Sequence, residues 1–149
     1  MSQIKDLDQL KTRLAEIAQS PHEMTGRWTA AQIFYHLAAA FEGSVEGLPP
    51  GYNFFARSVL RPFRWFVTRV RFPWGIPIPA SIADKLAPPK DADLAEQHAR
   101  LLQAIERFER HEGPHPPHPV LGGFSHDQWI GFHLRHSEHH LKFVRVRNG

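Results

Sequence analysis

The chain has 149 residues, a net charge of +3, eleven histidines and no cysteine. That length suits one domain over residues 1–149, large enough to bury a core without crosslinks. Without cysteine there are no disulfides, thiolate zinc sites, iron–sulfur clusters or cysteine nucleophile, so a metal must be held by His, Asp or Glu.

The first helix is expected over about 3–19, where Ile4, Leu7, Leu10, Leu14 and Ile17 recur at three- and four-residue steps. Ser20-Pro21 ends it. The second opens Trp28-Thr29-Ala30-Ala31-Gln32-Ile33. Thr29 and Gln32 have the spacing of a capping box, and Trp28 and Ile33 fit the flanking hydrophobic staple. This helix should run to about Glu46, ahead of Gly47 and Pro49-Pro50. Residues 52–71 have room for a further helix or two, interrupted at Pro62. The third long helix is expected over 93–111, with Asp93 as N-cap and Leu94, Leu101, Ile105 and Phe108 on its buried face. The fourth opens Phe124-Ser125-His126-Asp127-Gln128-Trp129, which repeats the opening of the second, and should run to about Arg145. No alternating run of strand length stands out. The expected fold is all-α: a four-helix bundle with a long crossover between helices 2 and 3.

The charge is local. Between Glu46 and Asp84 there is no acidic residue but five arginines, Arg57, Arg61, Arg64, Arg69 and Arg71. Setting these aside leaves 13 basic against 15 acidic side chains. The same segment is rich in aromatics. The expected role of Phe54, Phe55, Phe63, Trp65 and Phe66 is to cover one side of the bundle while the arginines stay wet. A pocket lid for an anionic substrate ranks second, and a membrane-surface helix over 52–72 behind it. Nucleic acid is not an expected partner, since no recognition motif accompanies the charge. No apolar run approaches the roughly 20 residues of a spanning helix. The opening Met1–Asp6 lacks a signal peptide's apolar stretch, so a cytoplasmic location is expected.

His133, His136, His139 and His140 share one helical stretch. His136 and His140 lie about 40° apart and one turn apart, so two imidazoles can converge on one ion. His133 shares this stripe, and His139 fits it less well. A third ligand must come from another element. The best internal candidate is His36, which shares a face with Ile33, Leu37 and Ala40. Three neutral imidazoles leave a coordination position open, as in catalytic zinc sites. The competing reading makes His36 a core residue and the four helical histidines solvated. His22, His98, His111 and His126 read as surface or capping residues. His115 and His118 read as loop surface, with His118 near enough to helix 4 to approach the site.

Trp28-Thr29-Ala30-Ala31-Gln32-Ile33-Phe34-Tyr35-His36-Leu37 resembles the second-helix signature of the DinB-like superfamily. His118-Pro119-Val120-Leu121-Gly122, Trp129 and His136-Ser137-Glu138-His139-His140-Leu141 resemble the closing segment of an uncharacterised subgroup within it. The resemblance implies a four-helix bundle with a divalent metal on His36, His136 and His140. Better-understood members include thiol-dependent transferases and isomerases that use bacillithiol or mycothiol with zinc or a similar metal. Many relatives follow the second histidine of the pair with Arg-Gly-Gln, whereas here His140 precedes Leu141-Lys142-Phe143.

The expected function is a metal-dependent enzyme of thiol-transferase or hydrolase type, with zinc first and nickel or iron as alternatives. Its substrate would be a small molecule, anionic or a low-molecular-weight thiol. The alternative is a non-catalytic bundle that contains a metal and binds a ligand or partner. An exposed aromatic face would favour a homodimer. No general base stands out. Glu42 is not clearly inward, and Glu138 lies about 160° from the His136/His140 stripe and is expected to face solvent. Gln32, and less easily Tyr35, are candidates to line a pocket.

Overall fold

A computed structural model describes residues 2–49, 58–69 and 80–147. It is mostly helical, with a small two-stranded sheet. The helices are α1 (Leu7–Gln19), α2 (Ala30–Glu46), α3 (Arg64–Val67), α4 (Ala80–Leu86), α5 (Leu94–Glu109) and α6 (His126–Leu141).

The four long helices begin where their capping residues put them. Asp6 accepts from the Gln9 N–H at 2.8 Å, and Asp93 from the Glu96 N–H at 2.8 Å. Two complete capping boxes open α2 and α6. Thr29 Oγ1 accepts from the Gln32 N–H at 3.2 Å while Gln32 Oε1 accepts from the Thr29 N–H at 3.0 Å. Ser125 and Gln128 repeat this at 3.2 and 2.9 Å. Each box satisfies two backbone donors that a helix start would otherwise leave bare. Gly47 ends α2 with a φ of 94°, where a side chain would be strained.

The core forms where the apolar stripes meet. α2 runs along α5, with α1 and α6 packed on this pair. Leu10, Leu14 and Ile17 of α1, Phe34 and Phe41 of α2, and Phe108 of α5 are fully enclosed. The Phe41 and Phe108 rings meet edge to face with centroids 5.6 Å apart, a favoured aromatic geometry.

Four expectations need correction. The chain is not purely α-helical: β1 (His22–Met24) pairs antiparallel with β2 (Val144–Val146), Glu23 opposite Arg145. The last helix ends at Leu141 rather than near Arg145, because the chain turns at Lys142 to enter β2. The short helix α4 was not anticipated between its flanking prolines. Phe63, Trp65 and Phe66 do not cover the helices; they are exposed. Phe54 and Phe55 lie outside the described residues. Pro62 sits in a 3-10 turn, Arg61–Phe63, that leads directly into α3.

The sheet positions the site. It carries the chain back past the end of α6, where the Thr25 N–H donates to the Phe143 carbonyl at 2.9 Å. Gly26 passes so close to Phe143 that a Cβ there would lie 3.1 Å from the ring. This path brings Trp28 onto His140 just as α2 begins.

Candidate metal centre

His36 comes from the second turn of α2, and His136 and His140 from the C-terminal half of α6. Their Nε2 atoms converge. His36 Nε2 lies 3.1 Å from His136 Nε2, and His140 Nε2 also lies 3.1 Å from it. The three ligand nitrogens all fall within 4.8 Å of one another, a group that can hold a metal ion. Two imidazole nitrogens bound to one tetrahedral zinc sit about 3.3 Å apart, given Zn–N bonds of about 2.0–2.1 Å.

The donor chemistry fits a cation. His36 Nδ1–H donates to the Leu86 carbonyl at 3.0 Å, which leaves the Nε2 lone pair facing the centre. Such an outer partner fixes the ring and its tautomer. His136 Nε2 can carry one hydrogen, so it can donate to one of its two neighbours. A cation at the convergence satisfies all three lone pairs at once. Burial pushes the His36 imidazole below its usual range and His136 well below it. His140 is pushed to about 3 by burial, reinforced by His36 nearby. Neutral imidazole is the ligand-competent form.

Aromatic rings wall the centre on two sides. Trp28 stacks on His140 with centroids 5.6 Å apart and touches His36 at 5.1 Å. Phe132 stacks on His136 at 5.4 Å. Trp28 was expected only as a staple residue, and it also forms part of this wall. Phe132 stands one turn before His136 and so shares its face, a spacing that could have pointed to it; Leu86 had no signal in the sequence.

The other histidines divide differently from expectation. His133 does not join the centre. It is enclosed between Phe41 and Trp129, and its Nε2–H donates to Ser44 Oγ at 3.0 Å. His118 is buried, not on the loop surface, because its Nδ1 accepts from the Val120 and Leu121 N–H groups, both at 3.1 Å. His115 is half-buried, its Nδ1–H donating to the Ser44 carbonyl at 2.8 Å. His126 is 2.8 Å from His115, Nδ1 to Nε2. His139 packs edge-on against His140.

The pocket candidates Gln32 and Tyr35, and the carboxylates Glu42 and Glu138, are engaged elsewhere. Glu138 is buried, not solvated: Oε1 accepts from the Ile4 N–H at 2.6 Å and Oε2 lies 2.9 Å from Arg135 Nη1. The residues before α1 fold over this face of α6 and close it. Glu42 accepts two hydrogen bonds from Arg100, at 2.9 and 2.7 Å. The same guanidinium lies 4.5 Å over the Tyr35 ring. Gln32 serves the capping box and also donates to the Pro89 carbonyl at 3.3 Å.

Two of the buried histidines make stability depend on pH. Burial lowers His118 to about 3 and His133 well below its usual value. The unfolded chain takes up these protons near pH 6.5, and the folded chain does not until far lower. Stability is therefore full above about pH 6.5 and falls as pH drops towards 3, by up to about 1.4 kcal/mol per pH unit for each group. Urea denaturation across this range measures the slope, and a profile flat down to about pH 4 contradicts it.

Among the described residues, no helix is long and apolar enough to cross a membrane. No curated protein and no solved structure matches the chain. A family model matches residues 2–147, and the chain belongs to that family, described as a protein of unknown function (DUF1569).

Proposed function

We propose that residues 1–149 form a single DinB-like four-helix bundle that holds a divalent metal on His36, His136 and His140. The reading extends to a metal-dependent enzyme of thiol-transferase or hydrolase type. It acts in the cytoplasm on a small substrate, anionic or a low-molecular-weight thiol. The observation that carries it is the convergence of three Nε2 atoms from two helices, that of His136 lying 3.1 Å from each of the other two. His136 and His140 are each partly exposed, and the reading takes the centre to be reached by ligands from that side. When bound, such a metal lowers the pKa of a coordinated water or thiol. His36 is held in its ligating tautomer by Leu86, and Trp28 and Phe132 keep the imidazoles in place. Zinc is the first choice; nickel and iron also accept imidazole.

A second reading is a non-catalytic metal bundle. Glu42 and Glu138, the two carboxylates closest in sequence to the ligands, are both engaged by arginines. Neither is poised as a general base.

Elemental analysis of protein purified without a histidine tag, followed by cobalt substitution, tests both. About one metal per chain is expected, with a visible cobalt spectrum that shifts on adding a small thiol or azide. Metal that binds with no spectral response to added ligands favours the non-catalytic reading. Absence of stoichiometric metal from protein reconstituted with zinc, nickel or iron rejects both.

A further inference from the structure

We propose that residues 58–69 dock the protein onto an anionic lipid bilayer surface. Among the described residues, the exposed large apolar side chains all lie in this segment: Val59 at 54%, Phe63 at 56%, Trp65 at 60% and Phe66 at 44% exposure. Leaving three aromatic rings this open in water is costly, at roughly 25 cal/mol for each Å² that could be covered. Isolated apolar residues on a surface need no explanation, but four within eight positions form a patch.

The charge around the patch selects the occupant. Arg61 and Arg69 are exposed beside it, and no acidic residue occurs between Glu46 and Asp84. The Arg69 guanidinium lies 5.1 Å from the centre of the Trp65 ring. Ring and cation are thus presented together, as at the headgroup level of a bilayer, where tryptophan is enriched and arginine meets phosphate. A second copy fits less well. An isologous pair would set this arginine-rich face against itself.

The patch is held out by a fixed base. The Thr68 hydroxyl donates to the Trp65 carbonyl at 3.0 Å, and Thr68 itself is buried against α6. At Gly131 the approach is so close that a Cβ would lie 2.5 Å from the Thr68 carbonyl oxygen. Arg61 lies over Gly122, which has a φ of 82°. The aromatic tips therefore project from a turn that is pinned to the last helix. None of these residues belongs to the proposed metal centre, so this inference stands or falls separately from it.

Flotation of the full-length protein with vesicles tests the assignment. The vesicles contain equal parts of phosphatidylcholine and phosphatidylglycerol, with phosphatidylcholine alone as the control. Binding is expected only to the anionic vesicles, and it should weaken as salt is raised. Arg61→Glu with Arg69→Glu should lower partitioning about tenfold or more, since each basic group near an anionic surface counts for roughly a fivefold change. Phe63→Ser with Trp65→Ser should abolish it. All four positions are exposed, and circular dichroism confirms that the variants stay folded. No flotation with anionic vesicles, or flotation unchanged in either variant pair, overturns the proposal. A dimer in sedimentation equilibrium that dissociates with Trp65→Ser, without vesicle binding, gives the face to a second copy and likewise overturns it.

Discussion

Replacing His136 with alanine is expected to lower divalent-metal affinity by more than the roughly 10–100-fold typical of losing an outer-shell partner. His136 Nε2 stands between the other two ligand atoms, 3.1 Å from each. Its removal leaves His36 and His140 without the atom that joins them. Calorimetric titration of zinc into untagged protein measures the change. His133→Ala is the matched control, since it lies one turn earlier on the same helix. That ring is enclosed by Phe41, Phe108 and Trp129 and touches none of the three ligand nitrogens. The control should lose stability and keep its metal. Wild-type zinc affinity in His136→Ala, or loss of metal in His133→Ala with the fold intact, would place the ligands elsewhere.

The second large effect concerns Glu138. Glu138→Ala should destabilise the protein by about 3–5 kcal/mol, because it removes the carboxylate that balances a buried guanidinium charge. Both side chains are almost completely enclosed, with exposures of 5% and 2%. The same change removes the acceptor of the Ile4 N–H, while Arg135 still donates to the Ile4 carbonyl. Replacing the pair together, as Arg135→Met with Glu138→Leu, should recover much of the loss, since no charge is left buried. Urea denaturation of the single and double variants separates the two. A cost below about 1 kcal/mol for Glu138→Ala would show that water reaches this pair.

What could be read from the sequence was what depends on local spacing. Thr29/Gln32 and Ser125/Gln128 announced two helix starts, and both boxes are formed. The one-turn offset of His136 and His140 and the apolar face around His36 made these three candidates while His133, His139 and His118 stayed open, and the resemblance to the DinB-like signature narrowed the set to the group that converges. What escaped depends on distant contacts. Glu138 is on the outer face by helical angle, but the segment around Ile4, 134 residues away in sequence, folds over it. His118 and His115 sit in a proline-rich stretch that reads as surface, yet backbone groups from that stretch bury the His118 ring and the Ser44 carbonyl of α2 holds His115 half-buried. β1 and β2 are three residues each, too short for alternation to register. The aromatic segment misled in the opposite direction, since composition alone does not say whether a ring faces a helix or water.

The proposed ligands His36 and His136 are 100 residues apart, and the strand pair that steers Trp28 onto His140 joins positions still farther apart in the sequence. Contacts this distant require large loops to close, and they are slow to form during folding. A newly made chain therefore presents only the two-histidine pair of α6, a far weaker trap for ions than the finished centre. A metal held at the proposed centre would then be captured after folding instead of nucleating it. The identity of such an ion would be decided by what a completed protein meets, not by what the emerging chain encounters first.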